Sequence, residues 1–235
     1  MLFGSHLFLY TLCMYYLDES VVFPHPASAK VSGILAIGGN LNVERLVLAY
    51  NYGIFPWYNE NEPIIWWCPS PRFVIFPNKV KVSKSIRPYF SQQRYRVTYN
   101  QHFQDIIRFC QHVPRRGQDG TWINEDIVTA YTAMHEEGYA LSVEVWEGDE
   151  LIGGLYGLTL GKVFFGESMF SLKSNASRFG FISLARLLEK EGFMVIDCQM
   201  ENPYLASLGG HFISGAHFQA ILQANRKIFL SGKVP

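Results

Sequence analysis

An α+β fold is predicted by three features of this 235-residue chain. Apolar residues make up 49% and charged ones only 17%, against roughly 25% charged in an average soluble protein. A sizeable buried core is therefore expected and disorder is excluded. Three strand-like segments follow one another over residues 140–146, 150–158 and 162–170, joined by Glu147-Gly148-Asp149 and Leu160-Gly161, both hairpin signals. A helical segment and then a short apolar strand come next, and an antiparallel meander followed by a helix and a strand reads as α+β.

The elements divide into two zones. The uncharged opening has no basic flank and no small-residue cleavage site, and it falls short of the roughly 20 apolar residues of a membrane span. Residues 1–14 are expected to be a flexible extension, with Met14 as an alternative start. A small N-terminal domain over residues 15–72 is dense in Pro and Gly, including Pro24, Gly33, Gly38, Gly39, Pro63 and Pro69. One helix is predicted there over 42–52, with Asn40 or Asn42 as N-cap and Gly53 as stop, and the rest as loop held by aromatic packing.

The second domain, 73–235, begins with a strand over 73–76, a helix or turn over 83–90 and a strand over 95–99. Helices follow over 101–110 and 125–137, the latter capped by Asn124 and stopped by Gly138. After the meander come a helix over 175–190, stopped by Gly192, and a buried strand over 193–199.

Lys and Arg balance Asp and Glu at 20 each, so a uniformly basic coat is excluded. The distribution is uneven, however. No carboxylate falls between Pro63 and Gln104, where Lys79, Lys81, Lys84, Arg87, Arg94 and Arg96 cluster with Tyr89, Phe90 and Tyr95. That mixture suits either a solvated face or a polyanion partner. The four cysteines are scattered without a C-x-x-C pair, and the seven histidines lack metal-ligand spacing, so neither a disulfide framework nor a zinc site is indicated. Walker A, G-x-G-x-x-G, G-x-S-x-G and H-E-x-x-H patterns are all missing, which leaves nucleotide-hydrolysing motors, Rossmann oxidoreductases and zinc hydrolases unsupported.

Polar residues inside apolar strands are the candidates for chemistry. In Val195-Ile196-Asp197-Cys198-Gln199 strand alternation puts Asp197 and Gln199 on one face, where they could orient a nucleophile or cap the turn at Asn202-Pro203. Glu167 interrupts an apolar strand and needs a cation, either Arg178 or a substrate. Trp57, Trp66 and Trp67 lie in a Pro-rich region, and Trp122 precedes a capped helix; each suits core packing or base stacking.

Together the segments Ala49-Tyr50-x-x-Gly53-Ile54-Phe55-Pro56-Trp57, Trp66-Trp67-x-Pro69-x-Pro71-Arg72, Gly120-Thr121-Trp122-Ile123, Phe165-Gly166-Glu167-Ser168-Met169-Phe170-Ser171 and Ile196-Asp197-Cys198-Gln199 resemble the leucyl/phenylalanyl-tRNA–protein transferases. The resemblance runs in order from about Phe23 to Ile228. It implies a small N-terminal domain followed by a GNAT-like acyltransferase domain with a mixed, mostly antiparallel sheet. The implied activity is transfer of Leu, Phe or less readily Met from aminoacyl-tRNA to proteins with N-terminal Arg or Lys, creating an N-degron. A cytoplasmic enzyme is implied, with no metal or organic cofactor, no DNA partner and no membrane. The coenzyme A loop pattern R/Q-x-x-G-x-G/A is missing around Arg178-Phe179-Gly180, in keeping with tRNA as the acyl carrier.

Carried onto this sequence, the resemblance makes Asp197 and Gln199 the polar pair at the reaction centre and has Glu167 face the cationic acceptor terminus, with Asn202 as a further hydrogen-bonding residue. Leu155, Phe164, Phe181, Leu184, Leu188 and Ile196 would form the donor side-chain pocket. Tyr50, Trp57, Trp122 and Tyr131 would surround the terminal adenosine, and Lys81, Lys84 and Arg87 would take acceptor-stem phosphates. Two other classes compete with this assignment: a non-catalytic RNA-binding module, which leaves Asp197, Gln199 and Glu167 unexplained, and a coenzyme A-dependent acetyltransferase, which the missing loop disfavours.

Overall fold

The computed structural model describes residues 14–113 and 121–230. Apart from Met14, the extension expected over 1–14 lies outside the described residues, and so does Gly120.

The N-terminal region is not the loop its Pro and Gly content predicts. It is a four-stranded sheet of β1 (Tyr15–Leu17), β2 (Ile34–Gly38), β3 (Phe55–Pro56) and β4 (Ile65–Trp67), in the order β1-β2-β4-β3, with β1 parallel to β2. Strands of two to five residues are too short to display an alternating pattern. The helix α1 (Val43–Asn51) forms as predicted, and the Asn42 side chain accepts from Arg45 N at 2.8 Å. It stops at Gly53, whose φ of 74° suits glycine.

The second sheet is built from β5 (Arg72–Ile75), β6 (Arg96–Tyr99), β7 (Ala140–Glu147), β8 (Glu150–Leu160), β9 (Val163–Ser171), β10 (Val195–Asp197) and β11 (His211–Ile213). Their order is β11-β5-β10-β9-β8-β7-β6, antiparallel throughout except for the parallel pair β9–β10. This is the mixed, mostly antiparallel sheet expected of the α+β class. The helices are α2 (Arg87–Ser91), α3 (Phe103–His112), α4 (Glu125–Glu136), α5 (Ala176–Lys190), α6 (Pro203–Ser207) and α7 (Gly215–Leu230). Asn124 caps α4 through Ile127 N. Among the described residues no helix is long and apolar enough to cross a membrane.

One core lies between α5 and the sheet face carrying Phe164 and Ile196; the other joins α1, α3, α4 and α7 on the face carrying Phe165 and Val74. Helix α7 ties several parts together. Phe218 and Leu222 approach Gly53 so closely that a Cβ there would sit 2.8 Å from the Phe218 ring. Buried Asn225 donates to Leu160 O at 2.8 Å and accepts from Lys162 N at 2.6 Å, fastening the β8–β9 turn.

Two irregularities prepare a site. Strand β10 pairs with β9 only as far as Asp197↔Phe165, so residues 166–171 keep β8 on one side and, among the described residues, have no strand on the other. Opposite Tyr156 and Gly157 the register shifts from Ser168 to Gly166, leaving Glu167 as the extra residue of a β-bulge. Gly157 makes room for this, since a Cβ there would lie 2.2 Å from Phe165 O. Replacing Gly157 by Ala is expected to destabilise the protein by about 1–3 kcal/mol, measured as the shift in its urea-unfolding midpoint; an unchanged midpoint would show that the bulge adjusts freely.

Candidate active site

A cleft of about 560 Å3 opens along the free edge of β9 and is closed by the end of β10, α5, the segment leading into α6, and residues 55–57 of the N-terminal sheet. Leu155, Phe164, Phe181 and Ile196 give it an apolar wall, and Trp57 and Trp122 stand on another side. Trp57 is exposed, and its ring centroid lies 5.3 Å from that of Trp67.

Glu167 lines this cleft as the unpaired residue of the bulge, on the side of β9 that faces Tyr50 and Tyr131. Tyr50 Oη donates to its Oε1 at 2.8 Å, Tyr131 Oη to its Oε2 at 3.3 Å, and Gln199 Nε2 to Oε1 at 3.4 Å. The two tyrosine hydroxyls are also hydrogen-bonded to each other. Burial pushes the Glu167 carboxyl up to about 8; the Asp197 charge adds to the rise, and the tyrosine hydrogen bonds oppose it. Burial first, and then the charge of Glu167, hold both phenols well above their ordinary value.

The expected Arg178 partner is not there. Arg178 donates to Ser207 Oγ at 3.1 Å and lies over the Tyr204 ring, and no Lys, Arg or His among the described residues forms an ion pair with Glu167.

Asp197 and Gln199 do not share a face. Strand β10 ends at Asp197, and Gln199 turns into the left-handed region with φ 58°, so alternation no longer applies. Asp197 is fully buried behind the cleft wall and bound by Arg72, with Nε to Oδ1 at 2.8 Å and Nη2 to Oδ2 at 2.6 Å. The same Oδ1 accepts from Gln199 N at 3.0 Å. The Arg72 guanidinium is stacked between Phe55 and Phe218, 5.0 and 4.8 Å from their ring centroids. Asp197 therefore acts on the cleft by fixing the Gln199 backbone, while the Gln199 side chain lines the cleft itself.

Other expected positions separate similarly. Leu184 and Leu188 are buried in the α5 core and do not line the cleft, because the face they share with Phe181 runs past its inner end. Tyr50 and Tyr131 present no ring to the cleft for stacking. Their rings are fully buried against Phe165 and Tyr156, and only their hydroxyls matter to the site. Asn202 lines the cleft but spends its side-chain oxygen capping α6, accepting from Tyr204 N at 2.8 Å. Lys81, Lys84 and Arg87 are exposed and do not line the cleft; Lys81 N donates to Leu208 O at the end of α6.

The geometry adds residues for which no role was expected: Arg72, Ser168, Met200, Glu201 and Tyr204. For Arg72 a signal existed, since a charge inside Arg72-Phe73-Val74-Ile75 requires a buried partner. Cys198 lines the cleft too, but burial and the Asp197 charge push its thiol up, leaving no thiolate nucleophile. Among the described residues no three His, Cys, Asp or Glu side chains gather as a metal site would require.

An acid of raised pKa beside a fixed amide in an apolar cleft is an arrangement that group-transfer enzymes use to bring a nucleophile to a carbonyl donor. Residues 74–223 match the family described as leucyl/phenylalanyl-tRNA protein transferase, and residues 39–70 match its N-terminal domain. The leucyl/phenylalanyl-tRNA–protein transferase of Flavobacterium johnsoniae is 50% identical over 211 residues, 90% of this chain and 100% of that one. Its counterpart in Pseudomonas fluorescens SBW25 is 51% identical over 207 residues, 87% of this chain and 91% of that one. Among solved structures, an aminoglycoside acetyltransferase from a soil metagenomic sample aligns with 50% of this chain and 86% of its own at a TM-score of 0.37 and 9% identity. The chain belongs to the leucyl/phenylalanyl-tRNA protein transferase family and is an aminoacyltransferase.

The Glu167 environment has a measurable consequence. In the unfolded chain its carboxyl ionises near 4.5, whereas in the folded protein it keeps its proton up to about pH 8. The folded state holds the extra proton across that window, so stability falls as pH rises through it. Relative to Glu167→Gln, the wild type is expected to lose stability over this range with a slope of at most about 1.4 kcal/mol per pH unit. Urea unfolding at stepped pH checks this, and parallel profiles would mean that Glu167 is already ionised when folded.

Proposed function

We propose that the cleft transfers Leu or Phe, and less readily Met, from aminoacyl-tRNA to the α-amine of acceptor proteins that begin with Arg or Lys. The product is an N-degron made in the cytoplasm. The observation that carries this is the Glu167–Gln199 contact at the floor of a cleft whose other walls are apolar and aromatic.

The chemistry is aminolysis of an ester. The α-amine nitrogen bonds to the carbonyl carbon of the donor, the bond from that carbon to the ribose oxygen of the tRNA breaks, and the amine's proton is balanced by the proton gained at the ribose hydroxyl. The nucleophile must be the neutral amine, and an α-ammonium titrates near 8. A carboxyl at about 8 matches it, so a proton moves from ammonium to the ionised form of Glu167 with little cost. Tyr50 and Tyr131 hold Glu167, and Gln199 holds the amine on the line of attack.

The apolar wall of Leu155, Phe164, Phe181 and Ile196 suits a Leu or Phe side chain. Such a wall separates side chains differing by one methylene by only about 1–3 kcal/mol, so Met is accepted as well. Trp57 and Trp122 offer faces for the terminal adenosine. Exposed Lys81, Lys84 and Arg87 would meet the acceptor-stem phosphates.

Labelled Phe-tRNA should pass its Phe to a peptide beginning with Arg and not to the same peptide with a blocked α-amine. Binding of Phe-tRNA with no labelled peptide would overturn the transferase assignment in favour of an RNA-binding module. Replacing Lys81, Lys84 and Arg87 together by Ala should weaken tRNA binding and reduce the slope of log affinity against log salt by about two to three. An unaltered slope would remove these residues from the interface.

A further inference from the structure

Among the described residues lining the cleft, only Glu167 and Glu201 carry an ionisable acid or base of ordinary charge, and both are acids; no described Lys, Arg or His lines it. Glu167 is enclosed and engaged by Tyr50, Tyr131 and Gln199. Glu201 is exposed at the cleft wall and has neither a hydrogen bond nor an ion pair among the described residues.

Its backbone is nevertheless fixed from both directions. Two residues before it, Gln199 N is held by Asp197 Oδ1 at 3.0 Å. One residue after it, Asn202 is locked as the N-cap of α6 by its bonds to Tyr204 N and Leu205 N. Being two residues from Gln199, the Glu201 Cα lies within about 7 Å of the Gln199 Cα. A carboxylate is thus held at the cleft mouth, a short step from the contact at which the acceptor amine is placed.

We propose that Glu201 is a specificity-determining residue that receives the cationic side chain of the acceptor's first residue. The inference rests on the transferase assignment above and deepens it. With the α-amine at Glu167 and Gln199, the side chain of the acceptor's first residue extends toward the mouth. Arg and Lys carry their charge at the end of a three- or four-carbon stem, long enough to cross apolar surface and leave the charged head near water. Glu201 meets that head where solvent screens it, so it sorts cationic from neutral first residues without trapping the product. The two carboxylates thereby divide the labour: the enclosed one handles the reacting nitrogen, and the exposed one reads the side chain.

The test compares peptides beginning with Arg and with citrulline, its neutral isostere, as acceptors of Phe from Phe-tRNA. The ratio of their kcat/KM values in wild type should fall about three- to fivefold in Glu201→Gln. It should fall further in Glu201→Lys, and added salt should bring the wild-type ratio toward that of Glu201→Gln. A ratio unchanged in both variants, with both peptides still labelled, overturns the Glu201 assignment alone. Failure of the wild type to label either peptide overturns the transferase assignment and this one with it.

Discussion

The structure depends on one buried ion pair. Arg72 and Asp197 have almost no contact with solvent, and the guanidinium lies between the rings of Phe55 and Phe218. Those rings come from the N-terminal sheet and from α7, and the carboxylate comes from the strand that ends at the cleft. Three distant stretches of sequence therefore meet at one charge. Removing either member of such a pair leaves an uncompensated buried ion and costs about 3–5 kcal/mol, so the pair enforces the juxtaposition of these parts. It also reaches the cleft, because the Asp197 oxygen that holds Arg72 Nε also holds Gln199 N.

Glu167 is governed by the opposite principle. Where Asp197 has a full counter-charge, Glu167 has phenols and an amide. One carboxylate is spent on a guanidinium and a backbone N–H and is structural; the other, pushed up to about 8 by burial, is left able to exchange a proton. Two acids close enough to influence each other thus take different roles because their partners differ.

Much of this was legible in sequence. The capped helices at Asn42 and Asn124 and the meander follow local rules that tertiary context did not overrule. The N-terminal sheet was not legible, since strands as short as Phe55–Pro56 leave no pattern and depend on pairing with Trp66 and Trp67. Helix α7 carries Phe218, Ile221 and Leu222 at helical spacing, but its glycine start and buried Asn225 blur the signal. In the site, the residue types were readable and their directions were not. Alternation failed beyond Glu167, where the bulge shifts the phase so that Met169 joins the Phe164 core and Phe170 the Phe165 core, and at Gln199, where the backbone leaves the strand. Tyr50 and Tyr131 belong to the site through their hydroxyls, while their rings belong to the core.

The position of α7 makes the interior of the fold depend on the last described element of the sequence. Translation makes this helix after every other described element, yet Phe218 supplies one face of the Arg72 sandwich and Asn225 fastens the β8–β9 turn. A folded sheet with α7 undocked would leave the Arg72–Asp197 pair without the Phe218 ring and the β8–β9 turn without Asn225. The last helix is therefore not an appendage to the sheet but part of what encloses the charge behind the cleft.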